Sequence, residues 1–92
     1  ARILAVDTTS AHGSIALLDG GLLKEEHEIH APGGFGHVLL DEISNLLKRH
    51  SLRLPQIDCW AVAAGPGSFT GIRVGMAAVK GLAEATSRPV VP

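Results

Sequence analysis

The sequence predicts an α/β fold, a five-stranded mixed sheet with two principal helices in the order β-β-β-α-β-α-β. Three observations carry this. Ile3-Leu4-Ala5-Val6 is a continuous apolar run, as expected of a central strand buried on both faces. Asp19-Gly20-Gly21 separates two strand-like stretches with residues that accept the positive φ of a tight hairpin. From about Gly36 the apolar period becomes helical, returns to a strand over Ile57–Ala64, and turns helical again after a glycine-rich junction.

Taken in order, the first strand ends in the polar turn Asp7-Thr8-Thr9-Ser10, and Ser14 to Leu18 forms the second strand. The third, Leu22 to His30, carries Lys24, Glu25, Glu26 and Glu28, charge that suits a sheet edge because it discourages intermolecular pairing. Pro32-Gly33-Gly34 breaks the sheet. In the first helix Leu39, Leu40, Ile43, Leu46 and Leu47 share one face, with Asp41, Ser44 and Lys48 opposite, and Pro55 stops any continuation. A second helix is expected from about Thr70 to Glu84, with Ser68 or Thr70 as its N-cap. Arg88-Pro89-Val90-Val91-Pro92 begins a fifth strand. The first three strands are expected to be antiparallel, the fourth and fifth to join by right-handed helical crossovers. That is the pattern of the ribonuclease-H-like lobe found in actin, sugar kinases and the heat-shock chaperone ATPases.

Bulk properties narrow the function. Ninety-two residues make one small domain, 46% hydrophobic and 18% charged. A net charge of −1 leaves no basic footprint for nucleic acid. The densest positive patch, Lys48-Arg49-His50 with Arg53, is expected to be the solvated end of a helix. The single cysteine, Cys59, has no internal partner and is placed in a buried strand, as in a cytoplasmic protein. No stretch approaches the roughly 20 apolar residues that span a bilayer. Ala1-Arg2-Ile3 leads into a strand, unlike a signal peptide.

The chemistry-bearing motifs are incomplete. Gly65-Pro66-Gly67-Ser68-Phe69-Thr70-Gly71-Ile72-Arg73-Val74-Gly75 could point backbone N–H groups at an anion, but no Lys-Ser or Lys-Thr follows the glycines. Pro66 and Phe69 leave no G-x-G-x-x-G either. Actin-like ATPases cradle phosphate on a D-x-G-T/S turn; here the matching turn is Asp7-Thr8-Thr9-Ser10, with Thr9 where glycine is needed, and its Cβ obstructs close approach. His27-Glu28-Ile29-His30 is one residue short of H-E-x-x-H, and on a strand its two histidines point to opposite faces. His12 and His37 are expected in or beside loops without a partner. Ser68 is not in a G-x-S-x-G elbow. No catalytic residue, metal site or cofactor is expected.

The second helix has more apolar surface than a sheet requires. Arg73, Lys80 and Glu84 cluster on a narrow side, leaving an apolar or small arc of roughly 220° where docking on a sheet needs only about 100°. Ile72, Met76, Val79 and Ala83 form the bulkier half, suited to the sheet. Gly71, Val74, Gly75, Ala78, Gly81 and Ala85, with Leu82 beside them, form a smooth half that a second backbone can approach closely. Three glycines inside a helix cost on the order of 1 kcal/mol each relative to alanine, so something should cover them. Either the first helix of the same lobe does, or a helix from another subunit.

ILAVDTTS near the N-terminus and GPGSFTGIRVG after an alanine-rich strand closely resemble the TsaB (YeaZ) family, bacterial proteins needed to make threonylcarbamoyladenosine in tRNA. The resemblance spans all 92 residues and implies a single N-terminal actin-like lobe, with the family's C-terminal lobe outside this chain. It implies a non-catalytic scaffold whose two lobe helices meet those of the TsaD subunit, or of a second copy, in a four-helix arrangement, with the ATPase TsaE joining. The family's usual His-Ser/Thr-Glu/Gln before the first helix is replaced here by Gly34-Phe35-Gly36-His37, so that cluster's role in partner contact is not carried over to this chain. The competing expectation is the N-lobe of a sugar-kinase-like or acetate-kinase-like phosphotransferase, binding phosphate at Asp7–Ser10 and Gly65–Ser68. A third is a dimerisation module unrelated to tRNA.

Overall fold

Three antiparallel strands begin the chain: β1 (Arg2–Asp7), β2 (His12–Asp19) and β3 (Leu22–His30). The computed structural model describes residues 1–92. Gly20 and Gly21 make the β2–β3 turn at φ of 61° and 82°, backbone that a Cβ would strain. β4 (Cys59–Val62) lies parallel to β1 with Trp60 beside Leu4, and β5 (Val90–Val91) lies parallel to β4. The sheet order is β3-β2-β1-β4-β5, so the most charged strand is an edge, as its composition predicts.

Two helices, α1 (Leu39–Arg49) and α2 (Phe69–Thr86), supply the crossovers. Strand alternation sends Leu4, Val6, Ile15, Leu17, Ile29, Trp60 and Val62 to one sheet face. There they share a single core with Leu39, Ile43, Leu46 and Leu47 of α1 and Val79 and Ala83 of α2. Each such large side chain contributes about 1.5–3 kcal/mol by leaving water. The same alternation puts Cys59 opposite Trp60, on the other face, where it is half-buried rather than enclosed as expected. Leu40 also departs from expectation: it is 57% exposed, one helical step round from the buried Leu39. Helix α1 starts three residues later than Gly36; ahead of it Phe35 is buried and its carbonyl accepts the Val38 amide at 3.1 Å and the Leu39 amide at 3.0 Å in a turn leading into the helix.

The basic end of α1 is tied down instead of merely solvated. Glu25 on β3 accepts hydrogen bonds from Arg49 Nη2 at 2.7 Å and His50 Nε2 at 2.9 Å. A second link joins His27 Nε2 to Glu42 at 2.8 Å. Hydrogen bonding to Arg49 and then to His50 pulls the Glu25 carboxyl down to about 2.

A close approach joins α2 to Thr8, the residue just past the end of β1. Thr8 is 1% exposed, and its hydroxyl donates to the Gly71 carbonyl at 2.6 Å. A Cβ on Gly71 would strike the Thr8 carbonyl oxygen, and one on Gly75 would strike the Thr8 hydroxyl. Gly71 and Gly75, expected on the outward smooth half, therefore face inward, onto the chain's own β1. Gly81, two turns further on, has nothing within 4 Å of where its Cβ would stand.

These three glycines should respond differently to alanine. Gly75→Ala should destabilise the fold by about 1–3 kcal/mol, the usual cost of overpacking, despite its better helix propensity. Gly81→Ala should instead stabilise by up to about 1 kcal/mol. Thr8→Val, which keeps shape but loses the hydroxyl, should cost about 1 kcal/mol. Urea unfolding of the three variants measures all of these; equal effects of the two glycine substitutions would contradict the packing described.

The Glu25 link predicts a pH dependence of definite sign. A depressed carboxyl contributes stability that is fully present above its ordinary value of 4.5 and lost as pH falls through about 2. Glu25→Gln should be less stable than the parent at neutral pH, and the gap should close between about pH 4.5 and 2. Urea midpoints across that range test it; a gap that persists at the acid end counts against the assignment.

Candidate functional site

Two parts of the molecule could carry function, and the first is the junction of the β1–β2 and β4–α2 loops. Asp7 Oδ1 accepts the Thr9 amide at 2.9 Å and the Thr9 hydroxyl at 2.6 Å, so the carboxylate closes its own turn. The Ser68 amide donates to the Thr9 carbonyl at 2.6 Å. A Cβ on Gly67 would run into Thr9, so that glycine is needed for the contact between the loops. Gly65, at φ 135°, turns the chain out of β4, and Pro66 and Gly67 bring it to Ser68. The Ser68 side chain then caps α2 by accepting the Gly71 amide at 3.2 Å. Asp7, Thr8, Thr9 and Ser10 on one loop and Gly65, Pro66, Gly67 and Ser68 on the other are thus drawn together. They are laced to one another, with the Thr9 side chain against Gly67.

Beside this junction lies a cleft of about 360 Å³, between the β1–β2 loop, the β3–α1 loop and the start of α2. Ser10, Ser68 and Thr70 offer hydroxyls to it, and the Pro32–Gly36 segment offers backbone. His37 is its only titratable side chain, and no Lys, Arg, Asp or Glu lines it. The cleft can hydrogen-bond a neutral group, but it has no cation to neutralise a phosphate and no acid–base pair. No group of three or more His, Cys, Asp or Glu is placed to hold a metal. His27 and His30 do point to opposite faces, one to Glu42 and the other to His12. His12 is therefore not the partnerless loop residue expected; it stands on β2 opposite His30.

The second part is the outer side of α2. Phe69 is 73% exposed and Arg73 lies 5.4 Å above its ring, a cation–π contact. Phe69, Thr70, Arg73, Val74 and Ala77 surround a shallow hollow at the start of the helix. Further along, Ala77, Gly81 and Ala85 are exposed, while Val74, Ala78 and Leu82 are half-buried at the margin of the core. Helix α1 touches α2 but leaves this strip open, so the chain's own first helix is not its cover. Of the seven positions singled out by the helical pattern, Val74, Ala78, Gly81, Leu82 and Ala85 border the strip, and Gly71 and Gly75 do not. Phe69 and Ala77 were not singled out: α2 begins directly after the expected Ser68 cap, one residue before the expected start at about Thr70, and Ala77 lies on the helical side that carries Arg73 and Glu84.

Comparison with known proteins adds what geometry leaves open. Residues 34–92 match the family described as TsaD, tRNA N6-adenosine threonylcarbamoyltransferase. The tRNA threonylcarbamoyladenosine biosynthesis protein TsaB of Haemophilus influenzae is 39% identical over 92 residues, covering 98% of this chain and 38% of that protein. TsaB of Escherichia coli is 33% identical over 90 residues, with the same two coverages. A tRNA N6-adenosine threonylcarbamoyltransferase of Pyrobaculum arsenaticum is 31% identical over 103 residues, covering 98% of this chain and 31% of that protein. A solved structure of YeaZ from Pseudomonas aeruginosa superposes with a TM-score of 0.91 at 35% identity, over all of this chain and 43% of that one. The chain thus spans a little under two fifths of the length of the two TsaB proteins. The sheet order and the YeaZ likeness together give an actin-like, ribonuclease-H-like lobe. By the pattern over residues 34–92 and by these relatives, the chain belongs to the TsaD family and, within it, to the TsaB (YeaZ) group.

Proposed function

We propose that this lobe is a non-catalytic scaffold in the biosynthesis of tRNA threonylcarbamoyladenosine, and that it works by docking the outer side of α2 against a partner. The observation that carries the proposal is the contrast between the two candidate parts. The loops that would cradle phosphate are packed into each other through Thr9 and Gly67, while the strip from Phe69 to Ala85 is small, largely apolar and uncovered. A helix with Gly81 and alanines on its outer side lets another helix come close, so that contact is made through backbone as well as side chains.

The partner we infer is the threonylcarbamoyltransferase subunit, TsaD. Both TsaB proteins and transferases align with nearly the whole of this chain, which is support for a pairing of like lobes. Such a pairing sets the same helix on both sides of a pseudo-two-fold axis, and a second copy of this chain could satisfy the same geometry. In this reading the complete protein has two lobes, sits in the cytoplasm, and acts beside the ATPase TsaE while TsaD carries the transfer chemistry. The phosphotransferase alternative needs an open cradle and a cation, and the loop junction and its cleft offer neither.

Gly81→Arg and Ala77→Glu place bulk and charge on the strip without entering the core. In the full-length protein each should weaken association with the transferase subunit by at least about tenfold, the equivalent of 1.4 kcal/mol, with an unchanged far-UV circular dichroism spectrum. Size-exclusion chromatography of the mixed subunits provides the measurement. Undiminished co-elution of both variants would end the proposal, and saturable ATP binding with phosphoryl transfer by the isolated protein would favour the kinase-like alternative.

A further inference from the structure

We propose that His12 and His30 form a two-histidine chelating site for a divalent cation of borderline softness, of the zinc, nickel and copper class, at the outer end of the β2–β3 hairpin. The two residues are direct partners across the antiparallel pair. Their rings are tilted 48° to each other with centroids 4.4 Å apart, and the Nδ1 atoms are 3.2 Å apart. Two imidazole nitrogens each about 2.0–2.1 Å from one zinc at a tetrahedral angle stand about 3.3–3.4 Å apart. The observed separation is therefore close to that of two ligands on one ion, before any ion enters.

The two Nδ1 atoms stand within hydrogen-bond distance, one ring able to share its Nδ1–H with the other, and rotation of these exposed rings turns both lone pairs onto one ion. A cation takes the place of that proton, which moves to the solvent-facing Nε2 of the same ring; both imidazoles stay neutral and no electron is transferred. The backbone holds the pair in register. The Ala31 amide donates to the Ala11 carbonyl at 3.2 Å just beyond it, and the Ser10 hydroxyl donates to the His12 carbonyl at 3.0 Å. Glu28, two residues before His30 and so on the same sheet face, adds negative charge nearby.

The other histidines offer no such pair. His27 is engaged by Glu42, His50 by Glu25, and His37 stands alone in the cleft. Because no third His, Cys, Asp or Glu joins His12 and His30, water fills the remaining positions, and a donor from another molecule can replace it.

The test is titration of the untagged, chelator-stripped chain with Ni²⁺ and Zn²⁺, followed by calorimetry and by the histidine side-chain NMR signals. One ion per chain is expected, with the His12 and His30 imidazole signals moving together. His12→Ala and His30→Ala should each weaken binding by at least the roughly 10–100-fold that loss of an outer-shell partner costs. His37→Ala and His27→Ala should bind as the parent does. Both exposed positions tolerate alanine without entering the core, and thermal melts confirm that each variant is folded. Binding by the His12→Ala or His30→Ala chain as tight as the parent's, no binding by the parent, or loss of binding in His37→Ala would each overturn the assignment.

Discussion

The pose of α2, and with it both candidate parts of the molecule, depends on the contact between Thr8 and the paired glycines Gly71 and Gly75. Thr8 stands just past the end of β1 and is almost wholly buried, with its hydroxyl on the Gly71 carbonyl. The helix can come this near only because two successive turns present no Cβ at the crossing point. The helical penalty of those glycines is offset locally, by a buried hydrogen bond and by close packing of β1 on α2. Moving the helix outward by the width of a methyl group would separate Val79 and Ala83 from the strands and pull Ser68 away from Thr9.

That contact also explains why the neighbouring loops are closed. With α2 held against Thr8, its first turn lies over the Asp7–Ser10 turn, and the Ser68 amide reaches the Thr9 carbonyl. The Thr9 carbonyl lies against Gly67 with the Thr9 Cβ beside it, and the Thr9 hydroxyl is tied to Asp7. The N–H groups that a phosphate cradle would offer to a ligand are here used in part within and between the loops themselves: Thr9 on Asp7, Ser68 on the Thr9 carbonyl and Gly71 on the Ser68 hydroxyl.

Much of the architecture was legible because it follows from local chemistry. The Asp-Gly-Gly turn, the Ser68 cap and the charge of β3 each act over a few residues, and each appears where the sequence places it; the Ile3–Val6 run forms β1 as expected, but only its Leu4 and Val6 face is buried, with Ile3 and Ala5 half-buried on the other. What could not be seen were properties set by contacts between distant segments. The wheel of α2 shows an apolar arc wider than a sheet needs, but not how far the helix is rotated on the sheet; Thr8, more than sixty residues away, decides that, and it turned Gly71 and Gly75 inward. Leu40 looked like a core residue because an eleven-residue helix can lean either way on its sheet. The meeting of His12 with His30 depends on hairpin register, which a shift of one residue would have abolished.

The division of labour among the glycines of α2 bears on the proposed docking. If helix flexibility were their purpose, all three should stand free of close neighbours, and two do not. If close packing inside the lobe were their only purpose, Gly81 would be an unexplained loss of about 1 kcal/mol, since nothing of this chain approaches it. The economical account assigns Gly71 and Gly75 to the sheet side and Gly81 to a neighbour on the other side, with the exposed Ala77 and Ala85 flanking it at helical spacing. In the proposed docking Phe69 and Arg73 would mark one end, an aromatic and a guanidinium of the kind enriched among interface hot spots. A smooth middle and an anchored end are what one helix needs in order to seat another in a single register.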